Sequence, residues 1–556
     1  MSFISLKFAL FCILTIVIYY LAGHLSRVCR LKRDKDTTAD DSNGSKIIQS
    51  PQWMILLVAS IVFYSFCGIK YLGYILITSV TVYFSARIMD SLAKKRDTYL
   101  NEHKAELGKE EKKAYKATVK KKQRWLLFFC LLVNVGILFV IKYADLLVAY
   151  FNYYRLMLTG NINFVVQPGF ILPLGISFYT FQSLGYLIDV YYSKVESEKN
   201  FARFLLFVSF FPQIVQGPIS RFADLEPELF GYKEYKWENI KSGLFRVFWG
   251  LFKKLVISDR LAPYVTSCTG LIEYYKGPYL LLCIFVYAFR IYGDFSGGID
   301  VAIGVAEMLG IRLTENFERP FFSKSISEYW RRWHMTLGTW FRDYIFYPLS
   351  VNKHILNLGK WVRTHISEGL GKRIPIYLPM IAVWMLTGMW HGSEGRFVTW
   401  GLLNCFFIIL GTEFEPLSCK IMDKLKLTEE MTIVKLYRIF KTFWLMSFLR
   451  VFDLVRTSKD GFKLIRDVFR GWSLFDINEV YTTLKLPKEE MIVAILAIVV
   501  LAIVSLIQRR GSIRERLFKK NMWLQFGIFA LLASAVLIFG NYGMGYDAAS
   551  FIYINF

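Results

Sequence analysis

Two of the six histidines stand where an imidazole could take part in proton transfer. His391 directly follows an apolar run that ends at Trp390, and Gly392 comes next. An imidazole titrates near neutral pH, which makes it a common proton acceptor in acyl transfer. The alternative is a histidine that caps a helix beside a tryptophan of the membrane interface. We predict a functional role for His391, with Trp390 at its side.

His334 lies in a stretch, residues 330–345, that mixes tryptophans with charged side chains. Read as one helix, this stretch places His334, Leu337 and Phe341 along one face and the charged side chains elsewhere. So many charges exclude a span that faces lipid, so the stretch is interfacial, re-entrant or lines a polar cavity. An amphipathic helix at the cytoplasmic surface is the alternative.

Asp294 is a third candidate, because it lies where residues 291–300 interrupt an apolar region with glycines and two acidic side chains. Inside a membrane such an interruption usually lines a cavity. A cytoplasmic turn that begins at these acids is the alternative. We count Asp294 among the candidates for substrate binding. The chain has no nucleophile elbow, P-loop or H-E-x-x-H motif, so no other catalytic chemistry stands out.

The composition places these candidates in a membrane protein. Of the 556 residues, 54% are hydrophobic and 20% are charged, whereas a soluble chain is about 45–50% apolar and about 25% charged. Disorder, collagen, a coiled coil and a small disulfide scaffold are excluded. The net charge of +24 does not indicate nucleic-acid binding, because the basic residues stand between apolar runs. The eight cysteines include no CxxC pair, so we expect buried thiols and no metal site.

The apolar runs predict an all-α polytopic membrane protein, since a membrane helix needs about 20 apolar residues. We expect residues 1–50 to hold an N-terminal transmembrane helix, retained and not cleaved, followed by a cytoplasmic linker. Residues 51–556 are expected to form the main membrane domain. The candidate spans are residues 3–21, 53–69, 71–89, 125–141, 170–190, 243–257, 279–292, 374–390, 397–410, 436–451, 491–507 and 523–540.

Basic loops set the predicted orientation. Residues 94–124 carry 12 Lys or Arg against five acids, and residues 22–50 and 509–520 are also basic. We predict that all three face the cytoplasm and that both termini lie on the extracytoplasmic side of the cell membrane. This orientation requires an even number of crossings, and we favour ten or twelve. Residues 94–124 are expected to form a charged helix, and residues 34–45 a disordered linker.

Eight short motifs occur in a characteristic order. They are LPLGISFYTFQ at 172–182, FPQIVQGPI at 211–219, YGDFSG at 292–297, ENF at 315–317, YWRRWH at 329–334, WFRDY at 340–344, TGMWHG at 387–392 and FIYINF at 551–556. Together they resemble the membrane-bound O-acyltransferase (MBOAT) family, most closely the bacterial branch of alginate O-acetylases and teichoic-acid D-alanyl transfer proteins. The likeness covers residue 50 to the end. Departures at 350–353 and in the longer basic loop leave the donor carrier and the acceptor open.

The resemblance implies an MBOAT-type ring of transmembrane helices around a thin central tunnel. It implies an acyltransferase that takes an acyl group from a cytoplasmic thioester and delivers it outside. His391 matches the family's central catalytic histidine, and His334 matches the second tunnel histidine. Arg331, Arg332 and Arg342 would then bind the phosphates of the donor, with lipid headgroups as the alternative ligand.

The expected reaction is O-acylation, with acetyl as the first choice, of an exported polysaccharide or cell-wall polymer. The donor would be acetyl-CoA or an acyl carrier protein, and no permanently bound cofactor is expected. An extracytoplasmic SGNH-type transferase or the polysaccharide itself would receive the acyl group; membrane lipids are further partners and nucleic acid is not. Two alternatives stay open: D-alanyl transfer to teichoic acid, and a proton-coupled transporter or flippase that uses His391 and Asp294.

Overall fold

The computed structural model describes residues 5–36, 50–160, 162–472 and 475–542. Regular structure in these ranges is helical, apart from one isolated antiparallel bridge between Phe317 and Trp333. The all-α class that the sequence predicts is therefore confirmed for this part of the chain. Most of the predicted linker at 34–45 and the whole motif at 551–556 lie outside the described residues.

The chain divides into two compact units. The first unit comprises Met1–Leu244 and Ala302–Leu313, and the second comprises Phe245–Val301 and Thr314–Phe556. The helices that begin in the first unit are α1 (Leu6–Asp36), α2 (Gln52–Ser65), α3 (Leu72–Glu102), α4 (Lys109–Thr159), α5 (Ile176–Tyr191), α6 (Phe201–Ser209), α7 (Phe211–Ile214), α8 (Phe222–Phe230) and α9 (Trp237–Leu251).

The remaining helices begin in the second unit, where both candidate histidines lie. They are α10 (Asp259–Gly270), α11 (Pro278–Met308), α12 (Ile326–Arg332), α13 (Met335–Phe341), α14 (Tyr347–Ser350), α15 (Lys353–His365), α16 (Glu368–His391), α17 (Gly395–Lys424), α18 (Thr432–Leu449), α19 (Val451–Leu454), α20 (Ser458–Asp467), α21 (Ile477–Tyr481), α22 (Lys488–Gln508), α23 (Ile513–Phe518) and α24 (Met522–Phe539).

Eight helices in the described ranges are long and apolar enough to cross a membrane, namely α1, α3, α4, α11, α16, α17, α22 and α24. This number is smaller than the ten or twelve crossings that the sequence predicts. The difference arises because other apolar runs form shorter helices, such as α2 with 14 residues and α5 with 16 residues. A crossing needs about 20 residues. Every residue of α5 is buried, so this segment packs inside its unit.

The basic segment 94–124 is not the single charged helix that its composition predicts. It contains the end of α3, a turn, and the beginning of α4. Gly108 is the N-cap of α4, and its N–H donates to the carboxylate of Glu111 at 2.8 Å. The rings of Tyr99 and Tyr115 pack across the turn with their centroids 4.5 Å apart. The basic side chains therefore lie on the ends of two long helices.

Candidate active site

His334 lies at a break between two helices and not inside one helix, so the single-helix prediction is wrong. α12 ends at Arg332 and α13 begins at Met335, while His334 has a φ of 49°, which L-residues rarely adopt. A neighbouring segment stabilises this break with two backbone hydrogen bonds. Met335 N–H donates to the carbonyl of Asn316 at 3.0 Å, and Glu318 N–H donates to that of Arg332 at 2.9 Å. Left-handed backbone of this kind costs about 1–3 kcal/mol and persists only where its surroundings impose it.

The side chain of Asn316 contacts the imidazole of His334. Asn316 is fully buried, and its Oδ1 accepts from the N–H of Thr336 at 3.0 Å and from the Thr336 hydroxyl at 2.9 Å. Its Nδ2 lies 3.2 Å from His334 Nδ1. The ring of Phe295 packs edge-to-face on the imidazole at a centroid distance of 4.8 Å. His334 is 3% exposed, so its orientation is set by these neighbours.

His391 is the last residue of α16 and is also buried. Its ring meets Trp400 edge-to-face at 4.7 Å and lies nearly parallel to Phe397 at 6.5 Å between centroids. Two glycines permit this packing: a Cβ on Gly388 would lie 2.5 Å from the carbonyl oxygen of Phe397, and one on Gly392 would lie 2.2 Å from the Phe397 ring. An aromatic ring of α17 therefore lies directly against Gly392.

Trp390 contacts both histidines. Its ring centroid lies 6.0 Å from that of His334 and 4.8 Å from that of His391. The indole is buried, as are both imidazoles. The structure thus brings together, within the second unit, three of the predicted site residues.

Arg450 belongs to the same cluster and is missing from the set that the sequence predicts. It is 3% exposed, and its guanidinium lies over the rings of Trp333 at 4.7 Å and of Trp330 and Trp400 at 5.4 Å each. A signal for it was present: Arg450 is a basic residue inside the apolar run 436–451. Ionisable residues in such runs usually have a specific partner or role.

The surroundings keep His334 uncharged. Burial, and then the positive charge of Arg450, lower the pKa of His334 from 6.5 to about 3. Arg450 Nη1 donates to the carboxylate of Asp453 at 3.3 Å. Burial raises the pKa of Asp453, while the charge of Arg450 opposes that shift. His334 is therefore a neutral imidazole at physiological pH.

The three arginines that the sequence predicts at the donor site have other neighbours. Arg331 is exposed. Arg332 forms an ion pair with Glu328 of the same helix at 2.7 Å, and Arg342 pairs with Asp343 at 2.8 Å. Their role in binding a donor stays a prediction, and the arginine beside the histidines is a different one.

Asp294 lies inside α11, which runs unbroken, so the alternative of a cytoplasmic turn beginning at these acids is wrong. The glycines of this segment serve helix packing instead. A Cβ on Gly293 would lie 2.6 Å from the carbonyl oxygen of Lys253, and one on Gly297 would lie 2.7 Å from that of Gly250. Because glycine has no Cβ, two backbones can approach at these positions.

Asp294 belongs to a buried network of ion pairs. Its carboxylate accepts from Lys254 Nζ at 2.6 Å, and the adjacent Lys253 pairs with Asp300 at 2.6 Å. Both lysines lie in a π-helical segment, Phe252–Ser258, and are at most 3% exposed. An unpaired buried charge would cost several kcal/mol, so the pairing accounts for the presence of these acids in α11.

The network reaches the loop that carries Asn316. Arg246 donates to Asp300 Oδ1 at 3.0 Å and to Glu315 Oε1 at 2.6 Å. Glu315 directly precedes Asn316, so this bidentate arginine anchors the backbone from which Asn316 reaches His334.

Two buried imidazoles against one indole, with a guanidinium close by, can move a proton and stabilise negative charge. A hydroxyl is a poor nucleophile until a base removes its proton in the transition state. Donors fixed beside a reacting carbonyl lower the barrier further, because they need not reorganise as charge develops. These are the requirements of acyl transfer to an alcohol.

Comparison with known proteins agrees with the motifs. Probable alginate O-acetylase AlgI of Azotobacter vinelandii is 33% identical over 348 residues, 63% of this chain and 61% of that protein. Peptidoglycan O-acetyltransferase of Helicobacter pylori is 30% identical over 380 residues, 63% of this chain and 62% of that protein. Teichoic acid D-alanyltransferase of Bacillus subtilis is 30% identical over 250 residues, 44% of this chain and 60% of that protein. The chain thus spans about three fifths of the length of these relatives.

The family model for MBOAT, the membrane-bound O-acyltransferase family, matches residues 61–364. This range includes His334 and ends before His391. The match covers more than half of the chain, and the resemblance that the motifs predict is confirmed. The chain belongs to the membrane-bound O-acyltransferase family.

Proposed function

We propose that this protein is a cell-membrane O-acyltransferase that moves an acyl group, acetyl first among the candidates, from a cytoplasmic thioester to hydroxyls of an exported polysaccharide or cell-wall polymer. The observation that carries the proposal is the pair of buried histidines, His334 and His391, that share contact with Trp390. We place this pair in a thin tunnel through a ring of helices, where donor and acceptor enter from opposite faces.

His391 acts as the general base. It takes the proton of the acceptor hydroxyl while the oxygen attacks the thioester carbonyl carbon. The carbon–sulfur bond then breaks, and the departing thiolate takes the proton from His391, so the histidine is restored. Trp390, Trp400 and Phe397 exclude water from the imidazole, which favours transfer to the acceptor over hydrolysis.

The donor is a soluble thioester, either acetyl-CoA or an acyl carrier protein, and no permanently bound cofactor is part of the proposal. Arg331 and Arg342 are exposed and able to meet donor phosphates from the cytoplasmic side, with Arg332 beside them. An extracytoplasmic transferase of the SGNH type, or the polymer itself, receives the acyl group.

D-alanyl transfer is the second candidate, since the likeness to teichoic acid D-alanyltransferase of Bacillus subtilis reaches 30% identity. It uses the same histidines and differs in donor and acceptor. A transporter or flippase finds less support, because Asp294, the predicted partner of His391 in a proton relay, is paired with Lys254.

The test is thiol release by the purified full chain in lipid nanodiscs. Acetyl-CoA and a D-alanyl carrier protein are supplied separately, each with and without an acceptor polysaccharide. We expect acceptor-dependent release from one donor, lost in His391→Ala and kept in His365→Ala, which changes an exposed histidine. A chain that releases thiol from neither donor, or equally in both variants, contradicts the proposal.

A further inference from the structure

We propose that Asn316 locks His334 in the neutral tautomer that carries its proton on Nε2, so that His334 is a hydrogen-bond donor and not a second base. This inference rests on the proposed function, because it divides the work of acyl transfer between the two histidines. Asn316 is a positioning residue in this scheme, acting through His334.

The orientation of the Asn316 amide follows from Thr336. A backbone N–H can only donate, so the amide atom 3.0 Å from Thr336 N must be the oxygen. The Thr336 hydroxyl, 2.9 Å from the same oxygen, occupies its second lone pair. The amide is therefore not free to flip, and its nitrogen is the group left to serve His334.

The Asn316 amide nitrogen then fixes the state of the imidazole. Nδ2 can only donate, and it lies 3.2 Å from His334 Nδ1. Nδ1 also lies 3.3 Å from Oδ1, but Thr336 already fills the acceptor capacity of that oxygen. Nδ1 must therefore accept, which requires it to carry no proton. In a neutral imidazole the proton then resides on Nε2.

Two further features hold His334 in this state. Arg450 lies beside the site with its guanidinium over Trp333, and a fixed positive charge disfavours the imidazolium. The lowered pKa of His334, about 3, agrees with this. Arg246 Nη1 donates to Glu315 Oε1 at 2.6 Å. Because Glu315 directly precedes Asn316, this contact also fixes the backbone that carries the Asn316 amide.

An imidazole with Nε2–H cannot remove a proton from an alcohol through that nitrogen. It can donate a hydrogen bond to the thioester carbonyl oxygen, which gains negative charge when the acceptor attacks. His334 keeps its proton throughout, and the proton that moves passes between the acceptor, His391 and the departing sulfur. The reaction thus uses one histidine as base and one as oxyanion donor.

The direct test is the protonation state of the ring nitrogens, measured by solid-state 15N NMR on the full chain labelled at histidine. With six histidines in the chain, the signals of His334 are assigned by their loss in His334→Gln. We expect Nδ1 to be unprotonated and Nε2 protonated in the wild type. A protonated Nδ1 in the wild type overturns the proposal.

Asn316→Asp is the sharpest variant, because it keeps the shape and the acceptor for Thr336 but replaces the donor with a carboxylate oxygen. We expect the proton to move to His334 Nδ1 and kcat to fall roughly 10²–10³-fold, the usual cost of losing one oxyanion donor. KM for the donor should change little. Full activity with Nδ1 protonated would overturn the donor role of His334.

Asn404→Asp is the matched control. Asn404 is also fully buried in the second unit, and its Oδ1 accepts from Trp330 Nε1 at 3.1 Å. Its substitution should leave the His334 nitrogen signals unchanged; if they change as in Asn316→Asp, the effect is not specific to Asn316 and the proposal fails. The NMR measurement needs no acyl donor, so an inactive wild type with Nε2 protonated would refute the proposed function alone.

Discussion

The guanidinium of Arg450 lies 4.7 Å from the ring centroid of Trp333, the residue that directly precedes His334. A cation over an indole contributes about 2 kcal/mol or more when the pair is desolvated. Because Arg450 stands between α18 and α19, this contact joins that corner of the second unit to the helix break that carries His334.

Arg450→Met should destabilise the protein strongly. It removes the cation and leaves the buried carboxylate of Asp453 without its ion-pair partner, which costs about 3–5 kcal/mol. Thermal unfolding in detergent, followed by tryptophan fluorescence, measures the loss. The double variant with Asp453→Asn should recover part of it, while Arg331→Met at an exposed position serves as control. Equal midpoints for all three variants and the wild type would refute the prediction.

Two glycines of α17 should respond differently to alanine. A Cβ on Gly401 would lie 2.3 Å from the carbonyl oxygen of Trp384, so Gly401→Ala must push α16 and α17 apart. We expect a loss of about 1–3 kcal/mol, typical of overpacking. At Gly411 no atom lies within 4 Å of the added Cβ, so Gly411→Ala should be neutral or gain up to about 1 kcal/mol of helix propensity. Similar unfolding midpoints for the two variants would show that the helices are not in close contact.

The lowered pKa of His334 predicts a pH-dependent stability. The folded protein holds this imidazole neutral down to a pKa of about 3, whereas the unfolded chain protonates it near 6.5. The free energy of unfolding therefore falls as the pH drops below about 6.5, and it is lower by about 2 kcal/mol at about pH 5. Above about pH 6.5 the imidazole is neutral in both states, so its titration no longer affects stability.

His334→Gln removes this titration. The drop in unfolding midpoint between about pH 7 and about pH 5 should then be smaller in the variant than in the wild type. Equal drops in the two proteins would mean that His334 is not held neutral by the fold.

His391→Gln should lose nearly as much acyl transfer as His391→Ala. Glutamine keeps the size and hydrogen bonding of the imidazole but is no useful proton acceptor, so the rate should fall at least roughly 10²–10⁴-fold, the worth of a general base. Initial rates are compared on protein of matched yield and gel-filtration profile. If His391→Gln kept more than about a tenth of the wild-type rate, His391 would be a positioning residue and the base would lie elsewhere.

The basic turn between α3 and α4 should face the cytoplasm. Ala105 is exposed in this turn, so Ala105→Cys offers a labelling site once the exposed Cys29 and Cys419 are replaced by serine. An impermeant thiol reagent should label it in inverted vesicles and not in intact cells. Strong labelling from outside would reverse the predicted orientation of both termini.

Much of the architecture follows from local sequence. Long apolar runs must become helices because a bilayer leaves no other way to satisfy their backbone hydrogen bonds, and α16 and α22 correspond to two of the predicted spans. His391 was identifiable as a candidate from the sequence, since an imidazole at the end of such a run, between Trp390 and Gly392, is expensive without a role.

The chemistry at His334 was decided by tertiary structure. Its helix breaks because the segment at Asn316 offers backbone and side-chain hydrogen bonds that replace those of a continued helix. No local sequence pattern predicts that pairing. Arg450 reaches the site only because two segments far from it in sequence pack against it, one carrying Trp330 and Trp333 and the other Trp400. Asp294, conversely, resembled a cavity residue and is an ion-pair partner of Lys254. Sequence spacing determines which residues share a helix. The partner of a buried charge depends instead on which segment packs against it, and that packing is formed only in the folded chain.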